Sequence, residues 1–212
     1  MSGPARRHPV SRNPPSAGLG DEGLARRAVA GDHEAFERLV ERYRDRVYRL
    51  SRRLTGSASD AEEVLQETFV SAYRRLGGFR GEAAFSTWLY RIATNAALML
   101  RRGRARHPTE PLDDYLPRFD RQGRHARDAD HARAADAETI LDRERLARHA
   151  RLALERLPEP YRTPFVLRDL EELPTAEVAS VLGLSHALVR QRVHRARLML
   201  RGYLSHLVGV EP

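Results

Sequence analysis

PTAEVASVLGLSHALVRQRVHRARLMLR, residues 174–201, is the stretch whose reading decides the fold. Val178, Ala179 and Leu182 recur at one-turn spacing, so a short helix opening after Pro174 carries one apolar stripe. Gly183 ends it, because glycine takes the left-handed conformation of a tight helix exit, and Leu184 can then turn inward. Ser185 supplies the N-cap of a second helix starting at about His186. There Val189, Val193, Ala196 and Leu200 share a narrow sector, which leaves Gln191, His194 and Arg195 outward, with Arg190 and Arg197 toward one flank. Two short helices around a glycine are common in helical proteins, so the charge has to carry more of the argument. Between Leu184 and Arg201 stand Arg190, Arg192, Arg195, Arg197 and Arg201 with no Asp or Glu, whereas an ordinary solvated helix mixes signs. A helix lying in the major groove needs arginines for phosphates and guanine edges, and polar side chains for other bases. The stretch reads as a DNA-binding helix-turn-helix.

The chain around it has 212 residues, 41% of them apolar, which suits two small helical domains with compact cores. Its formal net charge of +8 favours a polyanionic partner, although an acidic membrane surface or simple solubility would also account for it. All 37 basic residues are arginine. There is no cysteine, which excludes a disulfide framework, a cysteine-ligated zinc and a cysteine nucleophile. No apolar run approaches the ~20 residues that span a bilayer, and the N-terminus lacks the apolar region of a secretory signal, so a cytoplasmic location is expected.

Residues 1–20, rich in Pro, Arg, Ser and Gly, hold too little apolar content to order themselves and read as a basic tail. Beyond them, Asp21 or Asp32 can cap helices, and Phe36, Leu39, Val40, Tyr43, Val47, Leu50 and Leu54 mark one long amphipathic helix. The loop from Thr55 to Asp60 ends it, and Asp60 with Glu63 forms a candidate capping box for a third helix faced by Val64, Leu65, Phe69, Tyr73 and Leu76. The outward side of that helix begins with Glu62, Glu63, Gln66 and Glu67, for which complementing the helix dipole is the ordinary explanation. Residues 77–82 form a glycine-rich loop that matches neither a Walker loop nor a dinucleotide fingerprint. A fourth helix follows, dense in Phe85, Trp88 and Tyr90 and closing on arginines. Such rings can stack on unpaired bases, but more often they are core, where Leu89, Ile92 and at least one ring are placed.

DAEEVLQETFVSAYRRLGGFRGEAAFSTWLYRIATNAA, residues 60–97, resembles the first domain of bacterial sigma factors of the extracytoplasmic-function group, and residues 157–201 resemble their second DNA-binding domain. The resemblance implies an all-α protein of two small helical domains joined by a flexible linker, the second a winged-helix-like, four-helix helix-turn-helix domain. Its limits would be a tail at 1–20, a region 2 domain at 21–105, a linker at 106–136 and a region 4 domain at 137–207. The implied function is an alternative sigma factor that binds core RNA polymerase, directs it to promoters and promotes DNA melting. By position, Glu63, Gln66 and Glu67 would grip the polymerase beta-prime clamp. Phe79, Arg80, Phe85, Trp88 and Asn95 would serve the −10 element, where a flipped base is captured at a cost of a few kcal/mol of stacking and pairing. His186, Leu188, Arg190, Gln191, His194 and Arg195 would serve the −35 element. An anti-sigma factor is an implied partner.

Residues 106–136, charged and punctuated by Pro108, Pro111 and Pro117, read as a linker, which by resemblance threads the polymerase cleft with Asp113 and Asp114 mimicking nucleic acid. The arginines and histidines mixed into it leave a simple solvated tether open. In the second domain Ile140, Leu141, Leu146, Leu152, Leu154 and Leu157 set one helical pattern, Pro158 and Pro160 break it, and residues 161–170 form another helix. The segment from Tyr203 to Pro212 is expected to fray. A one-component regulator, which would bind a palindrome as a dimer without polymerase, is the alternative. An enzyme is the weaker rival, since there is no HExxH, GxSxG or phosphate loop and the nine histidines are dispersed; no catalytic residue, metal or cofactor is expected.

Overall fold

The structure, a computed structural model, describes residues 19–104 and 138–207. The described residues form helices in two groups with no strand among them, as the all-α reading expects, and no wing accompanies the helix-turn-helix there. The tail, the linker and residues 208–212 lie outside the described residues.

The first group comprises α1 (Asp21–Val29), α2 (His33–Thr55), α3 (Ala58–Arg75) and α4 (Phe85–Arg104), with a single 3₁₀ turn at Leu76–Gly78. Asp32 caps α2 by accepting the Ala35 N–H at 3.2 Å, whereas Asp21 lies inside α1 and is used differently: the Tyr43 hydroxyl and Arg42 donate to its carboxylate. Leu39, Val47 and Leu50 of α2 are fully buried, each contributing about 1.5–3 kcal/mol by leaving water. Gly56, at a φ of 79°, closes α2 with its N–H on the Arg52 carbonyl. The third helix begins earlier than expected. Ser57 is its N-cap, accepting the Asp60 N–H, while Asp60 sits in the first turn with its carboxylate paired to Arg104 of α4. The anticipated box at Asp60 and Glu63 is therefore replaced, because a distant arginine already engages Asp60.

The second group is α5 (Glu138–Arg156), α6 (Glu159–Phe165), α7 (Thr175–Leu182) and α8 (His186–Leu207). Pro160 falls in the first turn of α6, where a missing N–H costs nothing, so the helix opens at Glu159 rather than after the prolines. Past Pro164 the helix widens into a π-turn over Val166–Leu170. Of the leucines that set the α5 pattern, Leu154 and Leu157 are buried, while Leu146 and Leu152 are exposed. One expectation is corrected. The C-terminal helix continues to Leu207 instead of fraying from Tyr203, because Met199 is fully buried and Leu200 and Tyr203 pack against the core.

Candidate nucleic-acid interface

The helix-turn-helix forms as its residues dictate. Val178, Ala179 and Val181 of α7 are buried, Gly183 takes a φ of 64°, and the Leu184 N–H returns to the Ala179 carbonyl at 3.0 Å. Ser185 then accepts the Leu188 N–H at 3.2 Å and starts α8. Val189, Val193, Ala196 and Met199 point inward. His186, Arg190, Gln191 and His194 are exposed, and Leu188 and Arg195 are half-buried at the edge of the same surface. The first turn of α8 holds no acid. Arg197 is not a free flank residue: it forks onto Asp169 with two hydrogen bonds of 2.7 Å, which hold α8 against the π-turn and raise the guanidinium pKa.

In the first domain Phe79, Phe85 and Trp88 form an aromatic triangle with centroid separations of 5.3–5.7 Å. Phe85 is its base, 1% exposed and backed by the Tyr43 ring at 5.6 Å, so Phe79 and Trp88 offer the half-buried upper faces. Arg80 is exposed beside them in a loop that turns at Gly81. Asn95 lies apart from the triangle, about 10 Å further along α4. It lines a groove of about 340 Å³ between α3 and α4, together with Glu63 and Glu67. The structure thus brings Asn95 to the acidic side chains rather than to the rings. Glu63, Gln66 and Glu67 are all exposed; Arg104 reaches Glu63 at 3.2 Å, and Ser71 donates to Glu67 at 2.6 Å. Met99, 73% exposed, gives the groove an apolar lip.

Among the described residues no group of side chains is arranged to hold a metal ion, and no helix is long and apolar enough to cross a membrane. Three surfaces stand out: the basic, acid-free outer side of α8, the aromatic triangle of Phe79, Phe85 and Trp88, and the acidic groove between α3 and α4.

Residues 39–107 match the family described as Sigma-70 region 2, and residues 149–200 match Sigma-70, region 4. The chain is 36% identical to the ECF RNA polymerase sigma factor SigM of Mycobacterium tuberculosis, across 91% of this chain and 92% of that protein. It is 35% identical to the ECF RNA polymerase sigma factor SigW of Bacillus subtilis, across 84% and 92%. Among solved structures it is similar to CnrH in complex with the cytosolic domain of CnrY, with a TM-score of 0.63 and 27% identity over 88% of this chain and 97% of that one. It also shares the fold of the sigma factor RpoE from Bartonella quintana, solved with the anti-sigma factor NepR, with a TM-score of 0.57 and 20% identity over 84% and 98%.

Proposed function

The chain belongs to the extracytoplasmic-function group of RNA polymerase sigma factors, and from that premise we propose how its surfaces divide promoter recognition. An alternative sigma factor directs RNA polymerase to particular promoters, so each surface has a partner to meet. Residues 21–105 bind core polymerase and the −10 element, residues 106–136 link, and residues 137–207 bind the −35 element. Glu63, Gln66 and Glu67 dock on the beta-prime clamp, an acidic face suited to a basic partner. Phe79 and Trp88 stack on an unpaired base, with Arg80 on the neighbouring backbone and Phe85 fixing both rings from below. Asn95, at the edge of the acidic groove, meets DNA only where the strand continues past the triangle. In α8, His186, Leu188, Arg190, Gln191, His194 and Arg195 line the major groove.

The observation that supports this division best is the placement of two different nucleic-acid faces on one chain in a fixed order, one built for unpaired bases and one for duplex. The factor acts through binding energy and catalyses nothing, it works in the cytoplasm where its polymerase is, and an anti-sigma factor that covers both faces would silence it. In vitro transcription from a pooled genomic template, with core polymerase from the source organism, tests the proposal. The expected result is a set of discrete start sites, appearing only with this protein, that share an upstream and a downstream element. A footprint on a palindrome by the protein alone, with no new start sites, would replace it with the one-component regulator.

A further inference from the structure

Between Leu184 and Arg201 helix α8 and its cap hold five arginines and no acid, yet the fold brings α8 a carboxylate from elsewhere in the chain. Helix α6 packs along α8 and runs into the π-turn. Val166 and Leu167 anchor that turn in the core, and the Glu171 and Leu173 N–H groups close it on the Val166 and Leu167 carbonyls at 2.9 and 3.0 Å. Asp169 therefore stands on fixed backbone beside α8, its side chain only 16% exposed. Both of its oxygens accept from Arg197, Oδ2 from Nε and Oδ1 from Nη2, each at 2.7 Å.

The arginine held in this way belongs to a stripe that begins among the residues proposed to read DNA. Arg190, His194, Arg197 and Arg201 follow at steps of four, three and four, share one flank of α8 and are all exposed. Arg197 lies about 10 Å along the helix axis from Arg190, so by position it is as well placed as Arg190 to meet a DNA backbone. The fork changes what it can do there. A guanidinium is always charged in a protein, so Asp169 does not remove the charge but fixes where its donors point. A phosphate that took Arg197 over would leave the Asp169 carboxylate without this partner and beside an anionic duplex. The carboxylate is already in place and forked onto both nitrogens, whereas a phosphate contact would have to be ordered on binding.

We propose that Asp169 is a positioning residue for DNA binding: it holds Arg197 off the duplex, so that α8 makes one phosphate contact fewer than its arginines would allow. Phosphate contacts carry no sequence information and strengthen binding to every site alike. Asp169 thus keeps the sequence-independent part of the affinity low while leaving the N-terminal half of α8, from His186 to His194, free to meet base edges. The inference rests on the assignment of α8 as the helix that meets duplex DNA.

The test follows binding of the full chain to a short mixed-sequence duplex by fluorescence anisotropy across a series of salt concentrations, with urea unfolding as the check that each variant is folded. Asp169→Ala should bind more tightly at low salt, and its slope of log affinity against log salt should be steeper by about 0.9, so that a fourfold rise in salt costs it roughly 3.5 times more affinity than it costs the unaltered chain. Arg197→Ala should leave the slope where it was, and Arg197→Gln, which keeps a donor for Asp169, gives the same reading should the alanine variant fail to fold. Combining Asp169→Ala with Arg197→Ala should return the slope to that of the unaltered chain.

A slope unmoved in Asp169→Ala overturns the proposal. So does a slope made shallower by about 0.9 in Arg197→Ala, because Arg197 would then already sit on a phosphate. A double variant as steep as Asp169→Ala overturns it as well, since the carboxylate would then act by simple repulsion and not through Arg197. Arg190→Ala separates this inference from the assignment beneath it. That variant should bind the duplex more weakly, and if it does so while Asp169→Ala has no effect, the positioning role alone fails. If neither Arg190→Ala nor Arg195→Ala weakens binding, α8 is not the helix that meets DNA and both readings fall.

Discussion

Arg162 of α6 lies beneath the end of α5, where its Nη2 meets the Leu157 carbonyl at 2.8 Å and its Nε meets the same oxygen at 3.1 Å. It donates to the Glu155 carbonyl as well. The last carbonyls of a helix have no partner within it, and here a side chain 5% exposed takes the place of water. Burial, with Arg101 adding to it, pushes the guanidinium pKa down to about 10, which still leaves the group charged at neutral pH. Arg162→Met keeps most of the volume but strands the carbonyls, so we expect a loss of about 2–3 kcal/mol in urea unfolding. Arg162→Lys should recover little, because a single ammonium cannot fork to both oxygens. Full stability in the Met variant would mean that water serves α5 equally well.

The Tyr43 phenol predicts a pH dependence. Burial first, and then the hydrogen bond to Asp21, push its pKa well above the ordinary 10. The folded chain therefore holds this proton more tightly than the unfolded chain does. The corresponding stability is complete below pH 10 and is lost as pH rises past that value, where only the unfolded state releases the proton. Tyr43→Phe should lower stability at neutral pH by about 1 kcal/mol, yet make the decline above pH 10 shallower. Tyr90, also raised by burial, keeps some slope in the variant. Denaturation curves at a series of alkaline pH values give both numbers, and parallel declines in the two proteins would remove Tyr43 as the cause.

These two side chains also mark where sequence reasoning runs out. The turn at Gly183 and the cap at Ser185 were legible because each is decided within four or five residues. The start of α3 was not, since Ser57 and Asp60 are both good caps and the choice rests with Arg104, which follows 44 residues later. The pattern of Leu146 and Leu152 shows a helix, but which of its faces is covered depends on α8. Periodicity places Arg197 toward one flank of α8, and only the fold shows that Asp169 holds it there. The aromatic triangle follows the same rule: the sequence puts rings on α4, and only Tyr43 of α2 decides that Phe85 lies underneath. The contacts that Arg91 makes with Ser180, Thr87 with Glu177 and Arg53 with Glu171, between the two helical groups, carry no motif, so only tertiary packing could reveal them.

Glu67 is exposed on α3 and, among the described residues, accepts a hydrogen bond from Ser71 one turn away, which makes it a clean probe of the proposed polymerase face. Glu67→Arg should leave unfolding within about 0.5 kcal/mol of the original, as exposed substitutions do. It places a positive charge where the proposed partner is basic, so affinity for core polymerase in a competition assay should fall by tenfold or more. Undiminished holoenzyme assembly would move the contact elsewhere on the α3–α4 groove.

Arg190 and Arg195 test the second domain, and Arg197 serves as their control. Arg190 is exposed and Arg195 half-buried on the outward side of α8, whereas Arg197 is held by Asp169. Arg190→Ala and Arg195→Ala should both reduce transcription from the factor's own promoters. If an arginine meets a phosphate, binding should weaken evenly across sequences, and the slope of log affinity against log salt should shrink by about 1. If it meets a base edge, the loss of about 1–3 kcal/mol should fall on one position of the site and relax the preference there. Arg197→Ala should instead lower the stability of the second domain, because it frees a carboxylate beside the π-turn without removing a side chain aimed at DNA. Transcription unchanged in both Arg190→Ala and Arg195→Ala would sink the assignment of α8 as the recognition helix, whatever Arg197 does.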